Sequence, residues 1–149
     1  MGAWKRPFVI ALAALVLLTG GPAASQVPDF FARDLAEKLA RAEVALNEEG
    51  YMRAAGPFGG GLAVRTTDRI ALTLRAGQDY RIVGVCDDRC ALGLRLLDPN
   101  EAPIARAAED AGAIVMRVRP AFTGAHSVEV MALRCQVAAC WYAINVYTR

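Results

Sequence analysis

The rhythm of apolar and polar positions changes once along this chain. Between residues 29 and 49, Phe31, Leu35, Leu39, Ala42 and Leu46 recur at spacings of four, four, three and four, which puts them on one face of an α-helix. Asp29, directly after Pro28, is the expected N-cap and Gly50 the expected stop. Glu37 and Arg41 stand four apart on the opposite face, where they are expected to pair. The run Gly56-Pro57-Phe58-Gly59-Gly60-Gly61 then reads as a hinge, because glycine lacks the Cβ that restricts the backbone.

From Leu62 onward the period is two. Ile70, Leu72 and Leu74 alternate with Ala71, Thr73 and Arg75; Tyr80, Ile82 and Gly84 with Arg81, Val83 and Val85; Leu92, Leu94 and Leu96 with Gly93, Arg95 and Leu97. Further strands are expected over 113–119, 127–134 and 141–147. Turn residues separate them at Ala76-Gly77-Gln78-Asp79, Asp98-Pro99-Asn100-Glu101 and Pro120-Ala121-Phe122-Thr123-Gly124. Roughly seven or eight short strands with regularly spaced turns predict a mainly β protein, a single jelly-roll-like β-sandwich preceded by one amphipathic helix. Val83, Val85 and Leu97 make some strands apolar on both faces, which suits central strands or strands covered by the helix.

Ahead of the helix, Lys5 and Arg6 precede eleven apolar residues from Phe8 to Leu18, then Gly20-Gly21-Pro22 and Ala23-Ala24-Ser25. This is the layout of a cleaved signal peptide, with Gln26 as the expected mature start. Eleven residues are too few to span a bilayer, which takes about 20. The division expected is therefore 1–25 signal peptide, 26–61 helix and glycine-rich hinge, and 62–149 β-sandwich, with export to the periplasm or the cell exterior and no stable membrane span after cleavage. Loss of Lys5 and Arg6 takes the 17 basic residues to 15, equal to the 15 acidic ones. No basic excess remains for phosphate, so nucleic acid is not an expected partner.

With these strands in place, the segment from Leu72 to Tyr147 resembles the bacterial pre-peptidase C-terminal domain. The residues that carry the resemblance are Leu72-Thr-Leu-Arg-Ala-Gly77, Tyr80-Arg-Ile-Val-Gly-Val85, Leu94-Arg-Leu-Leu-Asp-Pro-Asn100, Arg119-Pro-Ala-Phe-Thr-Gly124 and Tyr142-Ala-Ile-Asn-Val-Tyr147. It implies a jelly-roll-like sandwich of the kind found beside secreted hydrolases or as a free-standing exported module, and with it a non-catalytic accessory or binding role. Where that family carries Asp alternating with Leu at the start of the middle strand, this chain has Ala91-Leu92-Gly93-Leu94, so a polar or metal site built on those acids does not carry over.

The candidate chemistry centres on four cysteines. In an oxidising compartment an even number of cysteines predicts disulfides. Adjacency favours Cys86 with Cys90 and Cys135 with Cys140, each closing a short loop at a hairpin end, while crossed bonds stay open if the two loops lie side by side. Zinc is disfavoured because exported thiols oxidise, and neither pair has the Cys-x-x-Cys spacing of a redox centre. A calcium site would need Asp87, Asp88, Asp98, Asn100, Glu109 and Asp110 to converge from separate loops; turn chemistry and loop solubility account for them otherwise.

His126 is the single histidine, and Ser127 is the one serine beyond the leader. Neighbours in a strand point to opposite faces, so they cannot form a nucleophile–base pair. No catalytic residue, metal ligand or cofactor is expected. Trp141 and Tyr147 share a strand face opposite Tyr142, Ile144 and Val146, and the amphipathic helix is expected to cover them. The chain thus reads as an exported, non-catalytic binding or accessory module for a protein or saccharide of the cell envelope. The alternative is a structural protein of the envelope that oligomerises or docks through its helix. The oligomeric state is open.

Overall fold

The computed structural model describes residues 27–109 and 112–149. The expected leader and the expected cut before Gln26 lie outside the described residues, as does Asp110. One helix, α1 (Asp29–Glu48), precedes eight strands: β1 (Met52–Leu62), β2 (Thr67–Leu74), β3 (Tyr80–Cys86), β4 (Cys90–Leu97), β5 (Pro103–Glu109), β6 (Ile114–Val118), β7 (Gly124–Cys135) and β8 (Cys140–Thr148). They form two four-stranded sheets, β1-β8-β3-β6 and β2-β7-β4-β5, with antiparallel pairing throughout. In chain order this is the strand order of a jelly roll, two interleaved Greek keys. Among the described strands, β4 and β5 are the only consecutive pair in one sheet; every other connection crosses from sheet to sheet.

Alternation decides which side chains fill the sandwich. Leu92, Leu94 and Leu96 of β4 and Val128 and Val130 of β7 face Ile82, Ile144 and Met116 of the other sheet, each almost wholly buried. The reverse face of the first sheet is apolar as well, at Val83, Val85, Ala143 and Tyr147, and α1 covers it with Leu35, Leu39 and Leu46. Burying each leucine contributes about 1.5–3 kcal/mol, which fixes the helix to the sheet. The stripe is used within the molecule. Phe31, at its N-terminal end, is only half-buried.

The helix ends differ in how well the sequence marked them. Pro28, not Asp29, occupies the N-cap position, because its carbonyl already accepts from the Ala32 amide at 2.9 Å; Asp29 is the first helical residue. There its carboxylate faces the positive end of the helix dipole. At the other end Gly50 has φ +84°, and the amides of Gly50 and Tyr51 donate to Asn47 and Leu46 at 3.0 and 2.9 Å. That is the Schellman arrangement, for which glycine is suited because a Cβ is disfavoured at positive φ. The ion pair that forms along the helix is Asp34 with Lys38 at 2.8 Å, in place of the expected Glu37–Arg41 pair.

The glycine run expected to be a hinge is strand β1, so the sandwich begins at Met52 and not at residue 62. Its glycines serve close approach. A Cβ on Gly61 would stand 2.9 Å from the Trp141 ring, and one on Gly60 would stand 3.0 Å from the ring of Tyr142, its register partner on β8. Large β8 aromatics therefore lie over bare β1 backbone, a use of glycine that looks like a linker in one dimension. β5 was not expected either. It is an exposed edge strand whose inward residues are Ala105 and Ala107, too small to make a period-two signal.

Candidate functional site

Cys86 ends β3 in the first sheet and Cys90 opens β4 in the second; Cys135 ends β7 in the second sheet and Cys140 opens β8 in the first. Both bonds are formed as adjacency favoured, Cys86 to Cys90 with Cα atoms 6.0 Å apart and Cys135 to Cys140 with Cα atoms 5.8 Å apart. The expectation of hairpin ends needs correction, because each loop passes between sheets. The two bonds are parallel staples across the open end of the sandwich.

The loops they close are also joined to each other. The Gln136 amide donates to the Arg89 carbonyl at 3.0 Å, and the Asp87 amide to the Trp141 carbonyl at 3.0 Å. Asp87, read as a solubilising loop acid, is 4% exposed. Its carboxylate accepts from the Trp141 amide at 2.8 Å and the Arg89 amide at 3.0 Å, so it replaces ladder bonds that the crossing chain cannot make. Asp88 beside it is exposed and accepts from Lys38 Nζ at 2.7 Å, while the same ammonium donates to the Cys86 carbonyl at 3.0 Å. Lys38 thereby ties α1 to the first stapled loop. The hydrogen bond from Lys38 holds the Asp88 carboxyl below the usual carboxylate range. Burial alone would lower the pKa of Lys38, but hydrogen bonds to Asp34 and Asp88 leave it raised.

Aromatic side chains finish this end. Phe31 lies 6.0 Å from Trp141, centroid to centroid; Phe30 meets Phe31 edge-on at 5.4 Å, and the Arg89 guanidinium sits 5.8 Å above the Phe31 ring. Phe30 is 78% exposed and Val137, in the second stapled loop, is also exposed. Aromatic and arginine side chains on a rigid support are the composition of protein-binding hot spots. The sequence had pointed to the cysteines and Trp141 here but not to Lys38 and Phe30 of α1 or to Arg89, because the helix meets the first stapled loop only in the fold.

The other candidates resolve separately. His126 faces the core at 3% exposure, with Nδ1 3.0 Å from the Gly124 carbonyl, while Ser127 points outward, as strand geometry requires. Asp98 accepts from the amides of Asn100 and Ala102 at 2.8 and 2.9 Å and shapes the β4–β5 hairpin. It stands at the opposite end of β4 from Asp87 and Asp88, so these acids do not converge, and among the described residues no three metal-ligating side chains gather. Tyr147 is fully buried under α1 and Trp141 half-buried.

A buried acid that sequence reasoning passed over is Glu129 on β7. It is 6% exposed on the outer face of the second sheet, held by Arg69 of β2 at 2.7 Å and by Arg95 of β4. Its signal was a lone acid inside the apolar run Val128-Glu129-Val130-Met131.

No protein-family model matches the chain, and no curated protein does. A solved structure does. The sandwich is similar to PliG of Aeromonas hydrophila, a periplasmic lysozyme inhibitor of g-type lysozyme, with a TM-score of 0.50 and 13% identity over 65% of this chain and 88% of that one. At that identity the likeness to PliG is one of fold.

Proposed function

We propose that this protein is an exported, non-catalytic binding module whose contact surface is the stapled end of the sandwich, and that its partner is a cell-wall lytic enzyme. The observation that carries the reading is the pair of parallel disulfides. They hold two neighbouring loops, Arg89 included, in one rigid arrangement, against which Phe31 of α1 meets Trp141 and Arg89, so docking costs little ordering entropy. The kind of partner is suggested by PliG, whose fold is similar and which inhibits a lysozyme. The resemblance to pre-peptidase C-terminal domains supports the same class of role, an accessory module beside hydrolytic enzymes. The docking-helix alternative loses its main support, since α1 spends its leucine stripe on its own sheet.

The test is a turbidity assay of cell-wall lysis by g-type, c-type and i-type lysozymes, with the protein purified from the periplasm. At equimolar amounts it is expected to slow at least one class. Phe30→Ser and Arg89→Ala, at exposed positions, are expected to weaken that inhibition about tenfold or more, the effect of a lost hot-spot contact, with unchanged melting temperature. Unimpaired lysis by all three classes in the presence of excess protein would refute a lysozyme partner.

A further inference from the structure

Between α1 and strand β1, at the edge of the first sheet, lies a groove of about 470 Å³ that the stapled end does not use. Its volume is within the range of small-molecule sites, roughly 300–1,000 Å³. On one wall α1 presents Ala32, Ala36 and Ala40, a methyl group at each successive turn; Pro57 and Gly59 of β1 form the other, and Ala143 of β8 lies in the floor. From Ala32 to Glu43 the helix runs about 16 Å at 1.5 Å per residue. The lining is apolar over most of that length. Polar groups gather at one end only, where Glu43 and Arg53 stand 3.5 Å apart above Asn145.

Asn145 is the second observation. It is 2% exposed; its Nδ2 donates to Tyr147 Oη at 3.0 Å, but its Oδ1 has no hydrogen-bond partner. Oδ1 is covered by Gly56, where an added Cβ would meet it at 2.5 Å. The β1–β8 register shifts between Ala55 and Phe58, so Gly56 and Pro57 form no ladder pair with β8. To reach Oδ1 a donor has to move Gly56, which lies in the irregular part of β1 and has no register partner on β8.

We propose that this groove binds a single-chain amphiphile, with its hydrocarbon tail along the alanine face and an uncharged, hydrogen-donating head, such as a primary amide, at Glu43, Arg53 and Asn145. An alkyl tail asks nothing of the methyl-lined walls, whereas an extended peptide needs a partner for an amide and a carbonyl about every 3.3 Å, and the helix wall offers only methyl groups while the β1 edge is interrupted at Pro57, which has no amide hydrogen. At the head, Arg53 donates and Glu43 and Asn145 accept, which matches an amide. An ionised carboxylate has no proton to give Asn145 Oδ1 and reaches Arg53 only in competition with Glu43, which already holds it at 3.5 Å.

The full chain, exported with its leader and purified from the periplasm, is titrated by calorimetry with decanamide, decanoate and an apolar pentapeptide, each below its aggregation threshold. Decanamide is expected to bind one to one and to raise the melting temperature, as any ligand of the native state does. Decanoate is expected to bind about tenfold more weakly or worse, and Glu43→Gln to narrow that gap. Ala36→Phe, from a solvent-exposed position, is expected to fill the groove and abolish binding while the unliganded melting temperature stays unchanged. No binding of decanamide, binding that survives Ala36→Phe with an equal preference for decanoate, or binding of the pentapeptide instead would overturn the proposal. None of these outcomes bears on lysozyme inhibition, which is read at the other surface.

Discussion

Cys90 and Cys135 are register partners across β4 and β7, yet each is bonded elsewhere, Cys90 to Cys86 and Cys135 to Cys140. A Cys90–Cys135 bond would join strands that hydrogen bonds already hold within one sheet. The bonds that form bridge the two sheets, each closing a loop by which the chain crosses from one sheet to the other at this end.

Local pairing has a direct check. Peptide mapping under non-reducing conditions is expected to show no cross-link between the peptide holding Cys86 and Cys90 and that holding Cys135 and Cys140. Loops this short lose little chain entropy on closure, so Cys86→Ser with Cys90→Ser is expected to lower stability by about 2 kcal/mol, measured by urea unfolding. Because the stapled end is the proposed contact surface, the same double variant is expected to lose more inhibition than stability.

Glu129 sets the acid limit on its sheet. Hydrogen bonds from Arg69 and then Arg95 hold its carboxyl below the usual carboxylate range, against burial, which pushes it up. A carboxyl depressed in the folded state contributes its stability above its unfolded pKa, about 4.3, and loses it as pH falls through the lower folded value. Glu129→Gln is expected to cost about 1–3 kcal/mol near neutral pH, the range for hydrogen bonds to charged groups, toward the low end because both arginines are half-exposed. The gap between wild type and Glu129→Gln is expected to close as pH falls below about 4. A gap that stays constant with pH would show that the ion pairs contribute nothing net.

Gly84 in β3 has no room for a side chain. An added Cβ would stand 2.8 Å from Ile114 Cγ2 and 2.9 Å from Ile144 Cδ1, both buried between the sheets. Gly84→Ala is expected to destabilise by about 1–3 kcal/mol, the usual cost of overpacking a core. Denaturant midpoints of the single variant, and of Gly84→Ala with Ile144→Val, check this; partial relief in the double variant is expected, since valine lacks the crowding Cδ1.

Most of the sandwich was legible because its strands are built from large apolar residues at strict period two. Ile70-Leu72-Leu74, Leu92-Leu94-Leu96 and Tyr142-Ile144-Val146 each face the core as their spacing predicts. The helix stripe and the Gly50 stop were legible for the same reason, a local periodicity and a local backbone requirement. β1 was not, because its glycines answer to Trp141 and Tyr142, residues some eighty positions away in the chain. β5 was not, because an edge strand that buries only alanines leaves no contrast between its two faces.

The chain alone settled the strand-rich class, the helix face and the favoured cysteine pairing, since each depends on residues within a few positions of one another. Tertiary structure alone decided that the two short cysteine loops span between sheets, that Lys38 and Asp87 lock them to the helix and to β8, and that a glycine run is a strand. These features arise from register between distant segments: a jelly roll sends nearly every connection to the opposite sheet, so neighbours in space are rarely neighbours in sequence.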